Sequence, residues 1–293
     1  MSVDQVPAGQ GETTSVIHDI GYQRYAGARL GRGYVVRSLY THGLRTAFGF
    51  GRSAKAKVFP WFVVGIVGLV ALVLVATRDP IRGMMLSYAD FPEQLSFLII
   101  LFCAVVAPEL VSRDLRSGVL PLYFSRPLGR DDYALAKLAA LITATWLMLG
   151  GAQLLMFVGG AFSLDGPRAI WDEFTEFLPG FAHSGLHAVV FSALAILVAS
   201  LASRRAVAAA LVVAVFLVTT PVVGVLFALG GETARQLASL ASPMTMVAGV
   251  GAWLFRTEDD LVGDFGPVYA VATAGLVLVC VALLLIRYRS VAR

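Results

Sequence analysis

PELVSRDLRSGVLPLYFSRPLGRDDYALAK, Pro108 to Lys137, carries nine formally charged side chains. It lies between two almost purely apolar runs, LSFLIILFCAVVA (95–107) and LAALITATWLMLGGAQLLMF (138–157). A compact charged island between greasy segments is what a water-facing loop between two membrane helices looks like. The rest of the chain supports that reading. Of its 293 residues 58% are hydrophobic and 14% charged, with mean hydropathy +0.78, whereas soluble domains carry about 25% charged residues. A water-soluble core of this size cannot hide so much apolar surface.

Crossing roughly 30 Å of hydrocarbon takes about 20 apolar residues at 1.5 Å per residue. Six runs qualify: 58–76, 93–111, 133–161, 181–202, 206–230 and 267–286. They are too long and continuous for barrel strands, so the chain reads as an all-α integral membrane protein with six transmembrane helices. An even number returns both termini to one side. Eighteen of the 23 Lys and Arg lie in the segment before the first span, the island, Arg204–Arg205 and the C-terminus. The other three loops hold five, with twelve of the 19 acids. The positive-inside bias puts both termini and the island in the cytoplasm. The net charge of +4 points to anionic lipid headgroups rather than nucleic acid. Cys103 and Cys280 sit in apolar runs and read as small hydrophobes, not a disulfide.

Residues 1–32 read as a flexible cytoplasmic tail. In 33–57, Val36, Tyr40, Leu44 and Phe48 recur every four residues among Arg and Lys, which predicts an amphipathic interfacial helix; 58–293 is the six-helix domain. DFPE (90–93) predicts a helix start with Asp90 as cap. Trp61, Trp171 and Trp253 fall near predicted interfaces. Pro221 predicts a kink in the fifth span, with Thr219 and Thr220 able to pair freed backbone groups. Gly65 and Gly68, Gly150 and Gly151, and Gly159 and Gly160 offer close helix approach. Residues 162–180 read as an outer loop. In the long outer loop 231–266, residues 233–241 and 244–255 predict two short helices, either dipping into the outer leaflet or lying on it.

Within the island, residues 112–124 predict a short helix broken near Gly118 and Pro121. Its apolar side, with Leu115, Val119, Leu120 and Tyr123, calls for a protein partner or the membrane surface. Glu109 is placed to pair with Arg113, four residues on. Asp131 and Asp132 suit the positive end of the helix that restarts there.

Taken together, Glu109, Arg113, Arg116, Ser117, Gly118, Leu120, Leu122, Ser125, Arg126, Pro127, Arg130, Tyr133 and Lys137 form a pattern that resembles the cytoplasmic loop of the ABC-2 family of ABC transporter permeases. The resemblance covers nearly all the chain beyond the tail. It implies six spans, an N-terminal interfacial (connecting) helix, a coupling helix between spans two and three, and a long outer loop with short helices before span six. It implies docking of residues 112–124 on a separate cytoplasmic ABC ATPase. The coupling residues would be Glu109, Arg113, Leu115, Arg116, Gly118, Val119, Leu120, Tyr123 and Arg126, with Arg204 and Arg205 as a smaller contact.

There is no GxxxxGK[ST], so ATP and Mg are expected on the partner subunit and no cofactor in this chain. HExxH, CxxC and GxSxG are also missing, which disfavours an integral membrane enzyme. His183 and His187, four apart, share a helical face as metal ligands do, but no third and fourth ligand stands out and they read as polar residues near the outer interface. Ionisable side chains are nearly absent from span centres, which disfavours an ion-driven carrier. Gln153, Ser192, Thr219 and Thr220 are the mid-span polar groups and candidates for a substrate path. The reading is a permease subunit in a bacterial cell membrane, exporting an apolar or amphipathic substrate. Its partners would be an ATPase, a second or related permease copy, and lipids. The alternative is a non-transporting scaffold or sensor that recruits a cytoplasmic partner through the same island.

Overall fold

The computed structural model describes residues 27, 30–78, 86–118, 123, 128–255 and 262–291. Those from Gly31 onward form one compact unit. The described residues are almost entirely helical, with no strand. The tail expected over 1–32 falls almost wholly outside them.

The helices are α1 (Arg32–Ala47), α2 (Ala54–Ala76), α3 (Phe91–Gln94), α4 (Ser96–Leu110), α5 (Ser112–Ser117), α6 (Arg130–Ala161), α7 (Pro167–Leu201), α8 (Arg205–Leu229), α9 (Glu232–Ala238), α10 (Pro243–Phe255) and α11 (Gly266–Val291). Five of them, α2, α6, α7, α8 and α11, are individually long and apolar enough to cross a membrane. The second sequence run, expected over 93–111, is not one such helix: α4 has 15 residues and follows the four-residue α3 across a break at Leu95. Protein rather than lipid surrounds most of α4, so the length rule for a lipid-facing helix does not bind it. It still carries the chain from one end of the bundle to the other.

Helix α7 is central: 72% of its most apolar window is buried, against 17% for α8. Around it Phe102, Leu141, Phe191 and Phe216 are fully buried, and the Phe191 and Phe216 rings stack at 4.7 Å. Ala144, Ala195 and Ala199, all at 0% exposure, let the helix backbones approach closely. Thr145 joins three helices, its hydroxyl 3.4 Å from that of Ser192 and 3.7 Å from the Cys103 sulfur. Cys103 and Cys280 are both buried and free.

Both described ends of the chain meet at the start of α6. Arg32 pairs with Asp132 at 2.6 Å and Arg289 with Asp131 at 2.5 Å, so the beginning of α1 and the end of α11 share one end of the bundle, the basic end. Asp132 also accepts the Gly129 N–H at 3.0 Å, which caps α6. Helix α1 packs along α6: Leu39, Gly43 and Ala47 are buried and the Tyr40 hydroxyl lies 3.1 Å from that of Thr143.

The opposite end differs from expectation in three respects. The loop expected over 162–180 is mostly helix, because α7 begins at Pro167. Phe174, Phe177 and Phe181 recur at helical spacing there and pack on one another and on Phe157. Asp90 occupies the cap position of α3 but makes no side-chain cap bond. Ser87 does the work one turn earlier, taking the Asp90 N–H at 3.1 Å and donating to its carboxylate at 2.6 Å. Of the paired glycines, Gly150 and Gly159 face Phe181 and Val75, but Gly65, Gly68 and Gly151 have open space beside them.

Helix α8 runs through Pro221 as one helix. The hydroxyls of Thr219 and Thr220 accompany it, bonded to the carbonyls of Val215 and Phe216 one turn back. Beyond α8, Glu232–Ala241 and Pro243–Phe255 form a pair bent by 119°, where two short helices were expected. Helix α8 leaves the basic end and α11 returns to it, so this hairpin starts and finishes at the opposite end. Its apex dips inward: the Ser242 hydroxyl lies 3.0 Å from that of Thr219, ten residues or about 15 Å below the end of α8.

Candidate functional site

At the basic end, the elbow between α4 and α5 is fixed by buried charge. Glu109, 9% exposed, pairs with Arg205 at the start of α8 and lies 2.6 Å from Arg52 in the turn before α2. The Arg52 contact is an ion pair by proximity without an aligned hydrogen bond. These two distant arginines hold Glu109 where the local spacing pointed to Arg113; the side chain of Arg113 is outside the described set. One turn on, Asp114 accepts from the Tyr133 hydroxyl at 2.7 Å and lies 2.9 Å from the Lys137 ammonium. The ring of Tyr133 packs between Tyr123 at 5.7 Å and Tyr288 at 5.2 Å. Ser112, fully buried, donates to the Ala199 carbonyl at 2.9 Å. The elbow is thus tied to the turn before α2 and to α6, α7 and α8 at once.

From this anchored root the chain turns outward. Arg116, Ser117 and Gly118 are exposed. Gly118 ends α5 with φ 65°, ψ 18°, the left-handed conformation that glycine adopts without strain. Val119, Leu120 and Arg126 lie outside the described residues, as does the side chain of Leu115. Leu128, where the chain rejoins the bundle, is 6% exposed. Arg204 is the exposed N-cap of α8.

The four candidate path residues do not converge. Gln153 and Ser192 are fully buried, the former donating to the carbonyls of Tyr88 and Gly180 at 2.7 and 3.3 Å. Thr219 ties α8 to the hairpin and Thr220 bonds its own helix. All four have structural partners inside the chain.

The opposite end holds a cluster that the sequence did not suggest. Glu173, 7% exposed, accepts from Arg78 at 2.6 and 3.1 Å and from the Tyr88 hydroxyl at 2.6 Å. Hydrogen bonding to Glu173 raises the Arg78 guanidinium above its ordinary pKa. Burial, then the bond to Glu173, raises the Tyr88 phenol well above its own. His183 and His187 face backbone: Nδ1 and Nε2 of His183 lie 3.1 and 3.3 Å from the carbonyl oxygens of Ala89 and Val247, and His187 Nδ1 lies 3.2 Å from that of His183. No group of three metal-binding side chains occurs among the described residues. The signal for Glu173 was present as an acid flanked by aromatics at helical spacing; nothing local marks Arg78 or Tyr88 as its partners.

A charged elbow after α4, five helices long and apolar enough to cross a membrane and a sharply bent helix pair before the last describe a multi-pass membrane protein. Compared with known protein families, residues 9–290 match the one described as ABC-2 family transporter protein. The chain belongs to that family. A search of curated proteins finds no match. The protein is therefore a multi-pass membrane permease of an ABC transporter, from a family that generally works with an ATPase subunit.

Proposed function

We propose that the permease is driven by a separate cytoplasmic ATPase docked on the segment 112–124, and that it exports an apolar or amphipathic substrate. The observation that carries this reading is the anchoring of the α4–α5 elbow. A force applied to the exposed turn at Arg116–Gly118 meets an anchored root, because Glu109, Ser112 and Asp114 are held by three other helices and by Arg52 in the turn before α2. A loop without a mechanical role does not need buried ion pairs, which cost several kcal/mol in desolvation per ion. Arg116, Leu115, Val119 and Leu120 would meet the ATPase, while Glu109, Arg205 and Asp114 would pass its motion to the helices. Arg204, exposed beside this root, would add a smaller contact.

ATP and Mg would be held by the partner. A second permease copy or a related one would complete the path, since Gln153, Ser192, Thr219 and Thr220 do not converge within one chain. The basic end would face the cytoplasm of a bacterial cell, with both termini on that side. Substrate-stimulated ATP hydrolysis by the reconstituted permease and its ATPase tests the proposal. Stimulation that depends on the permease supports transport. Stable binding of the ATPase without any stimulation by candidate substrates across apolar and amphipathic classes favours the scaffold reading.

A further inference from the structure

An open chamber of about 1590 Å³ lies at the basic end, between the end of α1, the turn 48–53, the α4–α5 elbow and the starts of α6 and α8. Its walls carry five cations, Arg45, Arg52, Arg116, Lys137 and Arg205, against two carboxylates, Glu109 and Asp114. Three of the cations are committed: Arg52 and Arg205 share Glu109, and Lys137 takes Asp114. Arg45 and Arg116 are exposed and have no carboxylate partner among the described residues.

Two helix N-termini add to this excess. Ser53 and Arg205 line the chamber at the starts of α2 and α8, and neither helix has a side-chain cap or an acid in its first turn. Uncapped backbone N–H groups and the positive end of a helix favour an anion. The chamber also borders exposed apolar surface. Phe50, on its wall, is 49% exposed and stands edge-on to Trp61 at 6.0 Å, and Val58 and Phe62 nearby are more exposed still.

We propose that this chamber is a binding site for a phosphate-bearing anion, held by Arg45 and Arg116 and backed by the N-terminus of α2. Arginine suits the task because its planar fork matches two phosphate oxygens at once. The phosphate can belong to an anionic lipid headgroup, with acyl chains along Phe50, Val58 and Phe62, or to a soluble ion. The inference goes beyond the transport reading and concerns the permease without its ATPase, because Arg116 is also among the residues that would meet the ATPase.

The test uses the full-length permease without ATPase. In one arm the protein is exposed to phosphatidylglycerol and phosphatidylcholine in equal parts, and retained lipid is read by native mass spectrometry. In the other, inorganic phosphate is titrated onto the permease in phosphatidylcholine nanodiscs. Wild type should retain phosphatidylglycerol preferentially or bind phosphate, and the arm that responds names the source. Arg45→Gln/Arg116→Gln should weaken that binding about 30-fold, since each basic side chain near a membrane contributes ~1 kcal/mol. Arg168→Gln/Arg235→Gln, from the opposite end, should leave it unchanged. Arg45→Lys/Arg116→Lys should recover part of it, which separates loss of charge from loss of fold. The proposal fails if neither arm shows binding, or if binding is equal in wild type and the glutamine variant.

Discussion

Replacing Glu173 with Gln separates a load-carrying ion pair from a decorative one. The side chains of Arg78 and Glu173 are 12% and 7% exposed, so solvent screens their contact little. Tyr88, which completes the group, is 3% exposed. Removing one partner of a buried pair typically costs 3–5 kcal/mol, because the other charge stays buried alone. Gln keeps the volume and one carbonyl acceptor, which puts Glu173→Gln at the lower limit, about 3 kcal/mol. At the thermal midpoint of a chain this size that is roughly 6–12 °C. Thermal unfolding of the purified permease, followed by tryptophan fluorescence, reads it. Arg78→Met/Glu173→Gln should lose less than Glu173→Gln alone, since no charge is then orphaned. The reasoning is refuted if Glu173→Gln lies within about 0.5 kcal/mol of wild type, or if the double variant loses the sum of the two single losses.

Two further outcomes follow from the same structure. Gly118 has φ 65° and open space where a Cβ would stand, so Gly118→Ala should cost about 1 kcal/mol through the backbone alone. Gly118→Asn should cost less, and melting temperatures should rank Gly, Asn, Ala; equal values would remove the left-handed cap from the account. In a background lacking Cys103 and Cys280, cysteines at Ser117 and Ser163 should react with a membrane-impermeant maleimide from opposite sides. Labelling of both from one side would overturn the assignment of the two ends.

What could be read from the sequence was whatever depends on local pattern. The passes followed from continuous apolar runs, the end of α5 from Gly118, and the positions of the two hairpin helices from the apolar stretches inside 231–266. That the hairpin dips inward could not be read, because it turns on one contact, Thr219 with Ser242, between separate segments. Glu109 shows the limit most clearly. Spacing along one helix nominated Arg113, whereas Arg52 and Arg205 hold the carboxylate from the starts of two other helices. The expected loop at 162–180 failed for a related reason. The segment falls between two apolar runs, but Glu173 faces inward to Arg78, and the aromatic spacing around it extends α7 by several turns. Gln153 and Ser192 stand out in the sequence as polar groups in apolar spans, whereas their bonds to Tyr88, Gly180 and Thr145 join distant segments and show only in the structure.

The central claim is that an ATPase engages the segment 112–124, which starts at α5. Introducing Leu115→Asp with Val119→Asp replaces two apolar residues of that segment with charges and leaves Glu109, Ser112 and Asp114 in place. Quantitative co-purification of a tagged ATPase with this variant is the most direct measurement. The account predicts a correctly inserted permease that no longer retains the ATPase; retention at the wild-type level, with unchanged ATP hydrolysis, would contradict it.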